Sequence, residues 1–263
     1  FAGSLTTSLD SFFIGTFVGT TALGYYDRAY RMAQWPGLLF NSILSRTAYY
    51  TYARLQDDAE RLKKSASMVF WTITMLGVPL ALALFVGAPD LIVLLYGERW
   101  LPSASLLRIL AFVFLTRPLW ENAGTIINAV GKPRLTTRVT IIWVIVLAIF
   151  GLPMTLVWGA AGTSIAVGIA ALFGLFLLLK TMMDVAPVDP RSTLAVTAVL
   201  AVGALVMYYL FGLLIGPLDV QLTLQAVGKM GGIVCLYYGL AMLVSPRTML
   251  ARLRYVWRLV WKK

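Results

Sequence analysis

A charged pair stands inside one of the long apolar runs of this sequence. Arg117 and Glu121 are four residues apart, so a helix places them on one face, which Asn122 borders. Each charge costs roughly 2.5–3.5 kcal/mol at the centre of a membrane span, so something must compensate them. Two interpretations stay open: an internal ion pair that fixes helix packing, or the wall of a hydrated cavity that contacts an anionic ligand.

A second polar row lies in an earlier apolar run. Arg31, Gln34 and Asn41 lie near helical spacing, and Pro36 between them removes a backbone hydrogen-bond donor. The row predicts a helix that lines something polar. For Arg31 the alternative is a long side chain that reaches the membrane interface beside Tyr30.

Two further charges stand in apolar surroundings. Asp10 is in the middle of TTSLDSFF, where loss of water favours the protonated acid, so it could bind and release a coupling proton. The alternative is a polar cap. Lys229 lies in the last apolar run, and we expect a structural or interfacial position for it.

Several kinds of chemistry are disfavoured. The chain has no histidine, and its single Cys235 lies in an apolar run, so we predict no metal site and no cofactor. No GxxxxGK[ST] phosphate loop is present, which argues against ATP-driven work by this chain itself. The net charge of +11 is spread over short connections rather than one patch, which argues against a nucleic-acid partner.

Long apolar segments must position these residues. Of the 263 residues 60% are hydrophobic and 13% are charged, with a mean hydropathy of +0.83, which predicts an all-α integral membrane protein. We predict about eight transmembrane helices near residues 1–18, 29–50, 66–87, 104–130, 136–157, 159–180, 192–215 and 222–245. Tyr25, Tyr26 and Tyr30 precede or begin the second span and are assigned to an interface.

The basic residues alternate between successive connections. Arg28, Arg31 and Arg99 fall on one side, and fifteen fall on the other, which predicts that both ends of the chain are cytoplasmic. The fifteen are Arg54, Arg61, Lys63, Lys64, Lys132, Arg134, Arg138, Lys180, Arg191, Arg247, Arg252, Arg254, Arg258, Lys262 and Lys263. The longest outer connection is predicted at about 87–103.

Three parts are predicted along the chain. Residues 1–180 form a six-helix bundle, residues 181–245 add two transmembrane helices, and residues 246–263 form a basic tail. The tail is predicted to form an amphipathic helix that binds anionic lipids at the cytoplasmic leaflet. The chain begins at Phe1, already inside an apolar run, so we expect a preceding segment.

The sequence also predicts features of helix shape and helix packing. Pro79, Pro118 and Pro153 lie inside predicted spans, where each frees a carbonyl group and acts as a static kink or as a hinge. In the sixth span, small residues at a spacing of four permit close helix packing: Gly162, Ala166, Ala170 and Gly174.

Four ordered segments carry a family resemblance: LGYYDRAYRMAQWP at 23–36, RLQDDAERL at 54–62, LLYGERWLPSASLLRILAF at 94–112 and NAVGKPRLTTRV at 128–139. They resemble Wzx-type polysaccharide and O-antigen flippases of the multidrug/oligosaccharidyl-lipid/polysaccharide exporter superfamily. The resemblance implies the C-lobe of a MATE-like flippase fold, helices seven to fourteen, with a six-helix N-lobe missing from this chain.

The resemblance also implies a function. Such proteins alternate access for an undecaprenyl-diphosphate-linked oligosaccharide in the bacterial cytoplasmic membrane, in polysaccharide or lipopolysaccharide biosynthesis. The polar rows would line the cavity, Asp10 would couple an ion, and no catalytic residue is expected. The alternatives are a multidrug cation exporter of the same superfamily, a membrane-embedded polysaccharide polymerase, or a scaffold subunit.

Overall fold

A computed structural model describes residues 2–215, 222–244 and 246, with side chains left out at 2–8, 36, 38–47, 114, 211–215, 222, 223 and 225. These residues form α-helices and no strand, apart from a short 3-10 turn at Glu98–Trp100. The α-helices are α1 (Ala2–Phe17), α2 (Thr20–Arg54), α3 (Ala59–Tyr96), α4 (Ser103–Ala129), α5 (Pro133–Val185), α6 (Arg191–Ile215) and α7 (Leu222–Val244).

Helix α5 is a hairpin of two arms. Gly159 has φ 59° and ψ −142°, a conformation that side chains with a Cβ rarely adopt, and it divides the helix into 133–158 and 160–185. The Thr155 and Thr163 hydroxyl oxygens lie 2.7 Å apart across the turn. The arms correspond to the fifth and sixth predicted spans.

The helices α2 and α3 are longer than predicted. Helix α3 has 38 residues, or about 57 Å at 1.5 Å per residue, well beyond the thickness of the hydrocarbon core. The predicted outer connection at 87–103 is therefore too long: Asp90 lies inside α3, and the turn occupies only 97–102. Ala88, Pro89 and Asp90 look like a turn in sequence, yet the proline is accommodated within the helix.

Within the described residues, five helices are long and apolar enough to cross a membrane: α3, α4, α5, α6 and α7. With 53 residues, α5 is long enough to cross twice. The chain is therefore a multi-pass α-helical membrane protein. The count of eight spans stays a prediction, and residues 247–263, with the predicted lipid-binding tail, lie outside the described part of the chain.

Packing divides the bundle into a central group and a flanking pair. Helix α4 packs against α2, α3 and α5, while α6 and α7 pack on α3. One cluster, around Tyr52, Phe70 and Ile126, contains residues of α2, α3, α4 and α5. Another, around Trp71, Leu82 and Tyr237, joins α3 to α6 and α7. The central group carries the residues of the candidate site.

The predicted stripe of small residues is buried within this packing. Gly162, Ala166, Ala170 and Gly174 all lie in the interior. A Cβ on Gly174 would lie 2.8 Å from the Trp120 ring. The stripe therefore lets α4 and the two arms of α5 approach closely.

Replacing Gly162 with alanine is expected to destabilise the hairpin. Its Cβ would lie 1.9 Å from the Met154 carbonyl oxygen, so the arms must separate, at a cost of about 1–3 kcal/mol. The matched control is Gly228→Ala on α7, where a Cβ meets nothing within 4 Å. Thermal unfolding in detergent should show a lower midpoint for Gly162→Ala only, and equal midpoints would contradict the described turn.

Candidate functional site

Four predicted site residues form a charged surface on α2 and α4. Arg31 and Gln34 lie on α2, and Arg117 and Glu121 lie on α4; we call these four residues the polar strip. The two helices pack along each other. Both arginines are solvent-exposed, and Gln34 and Glu121 are partly exposed.

Each arginine of the polar strip is paired with an acid on its own helix. The Nε of Arg117 donates to Glu121 at 3.3 Å, and the side chains are 47% and 35% exposed. The Nε of Arg31 donates to Asp27 at 2.9 Å. Each contact engages the Nε–H, one of five N–H donors on a guanidinium group. Both pairs span one helical turn, so neither pair ties two helices together.

Tyr30 links the two helices of the polar strip. Its hydroxyl group shares a hydrogen bond with Gln34 and interacts electrostatically with both Asp10 and Arg117. The sequence assigned Tyr30 to a membrane interface, but the structure places it partly buried between charged groups of three helices. Arg31 follows it directly along α2. Tyr30 therefore lies near both Arg117 of the polar strip and Asp10 on α1.

Asp10 is buried at the contact of α1 with α2. Its side chain is 3% exposed. The carboxylate accepts a hydrogen bond from the Tyr26 hydroxyl at 2.5 Å and another from the Ser11 amide at 2.8 Å. Tyr26 is itself fully buried, so its side chain faces the interior of the bundle. Asp10 therefore occupies a contact between helices and does not act as a helix cap.

Asn122 lies apart from the polar strip. It is 6% exposed, and its Oδ1 accepts a hydrogen bond from the Tyr52 hydroxyl at 2.9 Å. Its Nδ2 has no hydrogen-bond partner among the described residues. Asn122 therefore lies in the packing between α2 and α4, whereas the sequence grouped it with Glu121. The side chain of Asn41 lies outside the described residues.

Two clusters outside the polar strip were not predicted from sequence. Arg28 stacks on the rings of Tyr96 and Trp100, at 5.4 and 5.1 Å. This holds the start of α2 against the end of α3. Lys229 on α7 forms an ion pair with Asp90 on α3 at 2.7 Å. Within the described residues, no group of three acidic or thiol side chains could hold a metal ion.

Comparisons with known proteins find similarities to polysaccharide biosynthesis proteins. A family model described as "Polysaccharide biosynthesis protein" matches residues 1–105. A Klebsiella pneumoniae protein named "Uncharacterized membrane protein in cps region" is 24% identical over 97% of this chain and 52% of its own length. The Bacillus subtilis teichuronic acid biosynthesis protein TuaB is 28% identical over 49% of this chain and 26% of its own.

Two further similarities extend the comparison. The Escherichia coli lipopolysaccharide biosynthesis protein WzxC is 27% identical over 48% of this chain and 25% of its own length. The solved structure of the lipid II flippase MurJ, in an inward closed conformation, matches with a TM-score of 0.75 at 13% identity, over 92% of this chain and 51% of its own. That similarity shows a shared fold.

These similarities confirm the resemblance to Wzx-type polysaccharide flippases and the predicted flippase-like fold. The similarities cover only part of each relative's length. The chain spans about half of the Klebsiella protein and of MurJ, and the regions matched in TuaB and WzxC cover about a quarter of each.

The contact between Tyr52 and Asn122 gives a stability test. Tyr52→Phe should cost about 1–3 kcal/mol, because it leaves the buried Asn122 carbonyl unsatisfied. Adding Asn122→Leu should recover much of that loss, because both polar partners are then gone. Denaturation of the purified protein in mixed micelles measures both variants. If the double variant lost as much stability as the single variants Tyr52→Phe and Asn122→Leu together, loss of the hydrogen bond would not explain the destabilisation.

Proposed function

We propose that this chain forms one half of a flippase that moves a lipid-linked oligosaccharide, carried on undecaprenyl diphosphate, across the bacterial cytoplasmic membrane for polysaccharide or lipopolysaccharide biosynthesis. The observation that carries the proposal is the polar strip. Its Arg117 and Glu121 stand in the middle of α4, a helix that is otherwise apolar enough to cross a membrane. The resemblance to polysaccharide flippases supports the same assignment.

The polar strip is costly if it faces lipid. Arg117 and Glu121 lie near the midpoint of α4, which runs from Ser103 to Ala129. Two charges at that depth cost roughly 5–7 kcal/mol on the insertion scale. Their ion pair recovers only part of this cost, since both side chains stay substantially exposed. The strip is therefore best explained as a surface that faces water or another protein surface rather than acyl chains.

A second lobe supplies that surface in the proposal. The first relative and the solved flippase are about twice as long as this chain. A lobe of comparable size, in the same or another polypeptide, would stand opposite α2 and α4 and enclose a hydrated cavity. Alternating exposure of the cavity to the two leaflets then moves the headgroup without breaking a covalent bond, so the protein is not proposed to be an enzyme.

Arginine suits the proposed headgroup. A guanidinium group presents paired N–H donors that match phosphate oxygens, and the internal ion pairs use only the Nε–H of Arg31 and of Arg117. A diphosphate can therefore bind without displacing either acid. Gln34 adds an amide for sugar hydroxyl groups. A multidrug cation exporter is less well supported, because the acids of this surface are already paired with arginines.

The proposed orientation follows the basic residues. Seven lysines and arginines lie within 54–64 and 132–138, around the turns at 55–58 and 130–132, whereas the turns at 18–19 and 97–102 contain one, Arg99. By the positive-inside rule, both ends of the chain are cytoplasmic. The tail at 246–263 would bind anionic lipids of the inner leaflet.

Arg117→Ala should reduce flipping of the lipid-linked oligosaccharide by roughly 10- to 100-fold, since loss of a charge-assisted contact costs about 1.5–3 kcal/mol. Arg117→Lys should retain part of the rate, because the charge remains without the planar fork. The rate is measured as the appearance of the sugar headgroup at the outer face of membrane vesicles that contain the complete transporter.

The matched control is Arg61→Ala, which removes an exposed arginine paired with Asp58 in the turn before α3. It should leave the rate unchanged. Equal rates for Arg117→Ala and the unmodified protein would refute the cavity role of the polar strip. Efflux of organic cations in place of oligosaccharide would favour the cation exporter.

Asp10 is proposed as the site that couples transport to protons. A buried acid that has no basic partner among the described residues is costly when ionised, and Tyr26 stabilises its charged form by donating a hydrogen bond. Uptake of a proton removes the charge and weakens that contact. Because Tyr26 and the strip residues Arg31 and Gln34 lie on α2, a change at Asp10 would be transmitted to the cavity wall.

Asp10→Asn should abolish the pH dependence of flipping, because the amide cannot take up a proton in this range. The rate is followed from pH 5 to pH 8 in vesicles with an imposed pH gradient. Asp184→Asn, at the exposed end of α5, is the control and should keep the normal profile. An unaltered profile for Asp10→Asn would remove the coupling role while leaving the cavity role untouched.

A further inference from the structure

Helix α7 is joined to α3 by an ion pair between a buried acid and a lysine whose side chain is 41% exposed. The Lys229 ammonium group lies 2.7 Å from the Asp90 carboxylate, whose side chain is 10% exposed. The two residues are 139 positions apart in the chain. Neither charge can be moved away from the other without leaving a carboxylate unpaired in an apolar setting. The pair therefore strongly favours one alignment of the two helices.

A second polar contact uses a carbonyl group that a proline has freed. Pro79 has no N–H, so the Met75 carbonyl four residues earlier loses its usual helical partner. The Tyr238 hydroxyl on α7 donates to that carbonyl at 3.1 Å. This contact lies far along α3 from Asp90, so the two contacts fix α7 at two separated points.

Close packing between these points adds a steric constraint. The Met230 side chain fills the space beside Gly87, where a Cβ would lie 2.6 Å from it. Helix α6 is attached to the same unit, because Leu200 and Ala204 are buried in one cluster with Ile233 and Tyr237 of α7. The α6–α7 pair therefore shares its packing with α3.

Helix α3 is also fixed on its other side. Pro89 frees the Phe85 carbonyl in the same way, and the Nε of Arg108 on α4 donates to it at 3.3 Å. The guanidinium group also lies 5.9 Å from the Phe85 ring. The carbonyl groups freed by both prolines of α3 therefore accept hydrogen bonds from neighbouring helices.

From these contacts we propose that Lys229 and Tyr238 are positioning residues that lock the α6–α7 pair onto α3 in a single register, so that α3, α6 and α7 move as one body. Lipid provides no strong force against sliding of apolar helices, and the polar contacts supply the alignment. A slip of one turn would move Lys229 by about 5.4 Å, out of reach of Asp90. The proposal that α3, α6 and α7 move together during transport rests on the proposed function. The proposal of a single register does not.

Distance measurement between spin labels tests the register directly. The labels are placed at Leu94→Cys on α3 and Val227→Cys on α7, both exposed, after Cys235→Ser removes the exposed native thiol. In native membranes the unmodified pair should give one narrow distance distribution. Lys229→Met should broaden it or shift it by about one helical turn, ~5 Å. The exchange Asp90→Lys with Lys229→Asp should restore the narrow distribution.

Two milder variants keep the test decisive if Lys229→Met fails to fold. Tyr238→Phe removes only the hydroxyl group and should also broaden the distribution, whereas Tyr209→Phe, on the exposed side of α6, should not. A narrow, unshifted distribution in Tyr238→Phe would overturn the proposal if Lys229→Met, where it folds, gives the same result.

Flipping assays on the same variants separate this inference from the proposed function. We expect Lys229→Met to lower oligosaccharide movement and the charge exchange to restore it. If the unmodified protein moves no lipid-linked sugar while the label distances behave as expected, the proposed function fails and the register stands. If transport persists with a broadened distance distribution, movement as one body is refuted and the flippase remains.

Discussion

A polar group inside the membrane needs a partner, because hydrocarbon offers none, and the bundle is organised around that constraint. The two prolines of α3 each leave a carbonyl group without its helical donor, and Arg108 and Tyr238 supply replacements from two other helices. Asp10 is paired in the same way with Tyr26 across α1 and α2. Packing in this protein is directed by such isolated polar contacts as much as by its apolar clusters.

The polar contacts fall into two classes according to which helices they join. Lys229 with Asp90 and Tyr52 with Asn122 connect different helices, and the acceptor of each pair, Asp90 or Asn122, is buried, so breaking them would loosen the bundle. Arg117 with Glu121 stays within one helix and remains exposed, so it can exchange partners while the helix packing persists. A surface that must bind and release an anion needs contacts of the second class. This difference separates the candidate site from the framework that supports it.

The sequence predicted the fold class well and the direction of side chains poorly. Apolar runs identified an all-α membrane protein, and the predicted gap between the fifth and sixth spans, at residue 158, lies next to the turn residue Gly159. Aromatic-belt reasoning assigned Tyr26 to an interface, but that rule speaks only to depth and not to which side of the helix faces the interior. Asn122 follows Glu121 by one residue, which is 100° around α4, enough to turn it from the exposed face into the packing with Tyr52.

Contacts between distant segments could not be predicted from one sequence. Asp90 follows Ala88 and Pro89, a combination typical of a turn, and its partner Lys229 lies on the last helix. Only the three-dimensional arrangement shows that the acid is helical and paired. By contrast, Arg117 and Glu121 were found because their spacing is local, and the same holds for the stripe of small residues that ends at Gly174.

The hairpin at Gly159 has a consequence for biosynthesis. Its two arms follow each other with a single non-helical residue between them, and Gly162 lies against Met154 across the turn. Such a turn contains no hydrophilic segment that must be carried through the bilayer. The arms can therefore leave the ribosome and partition into the membrane together as a preformed unit, and their insertion needs no separate translocation step.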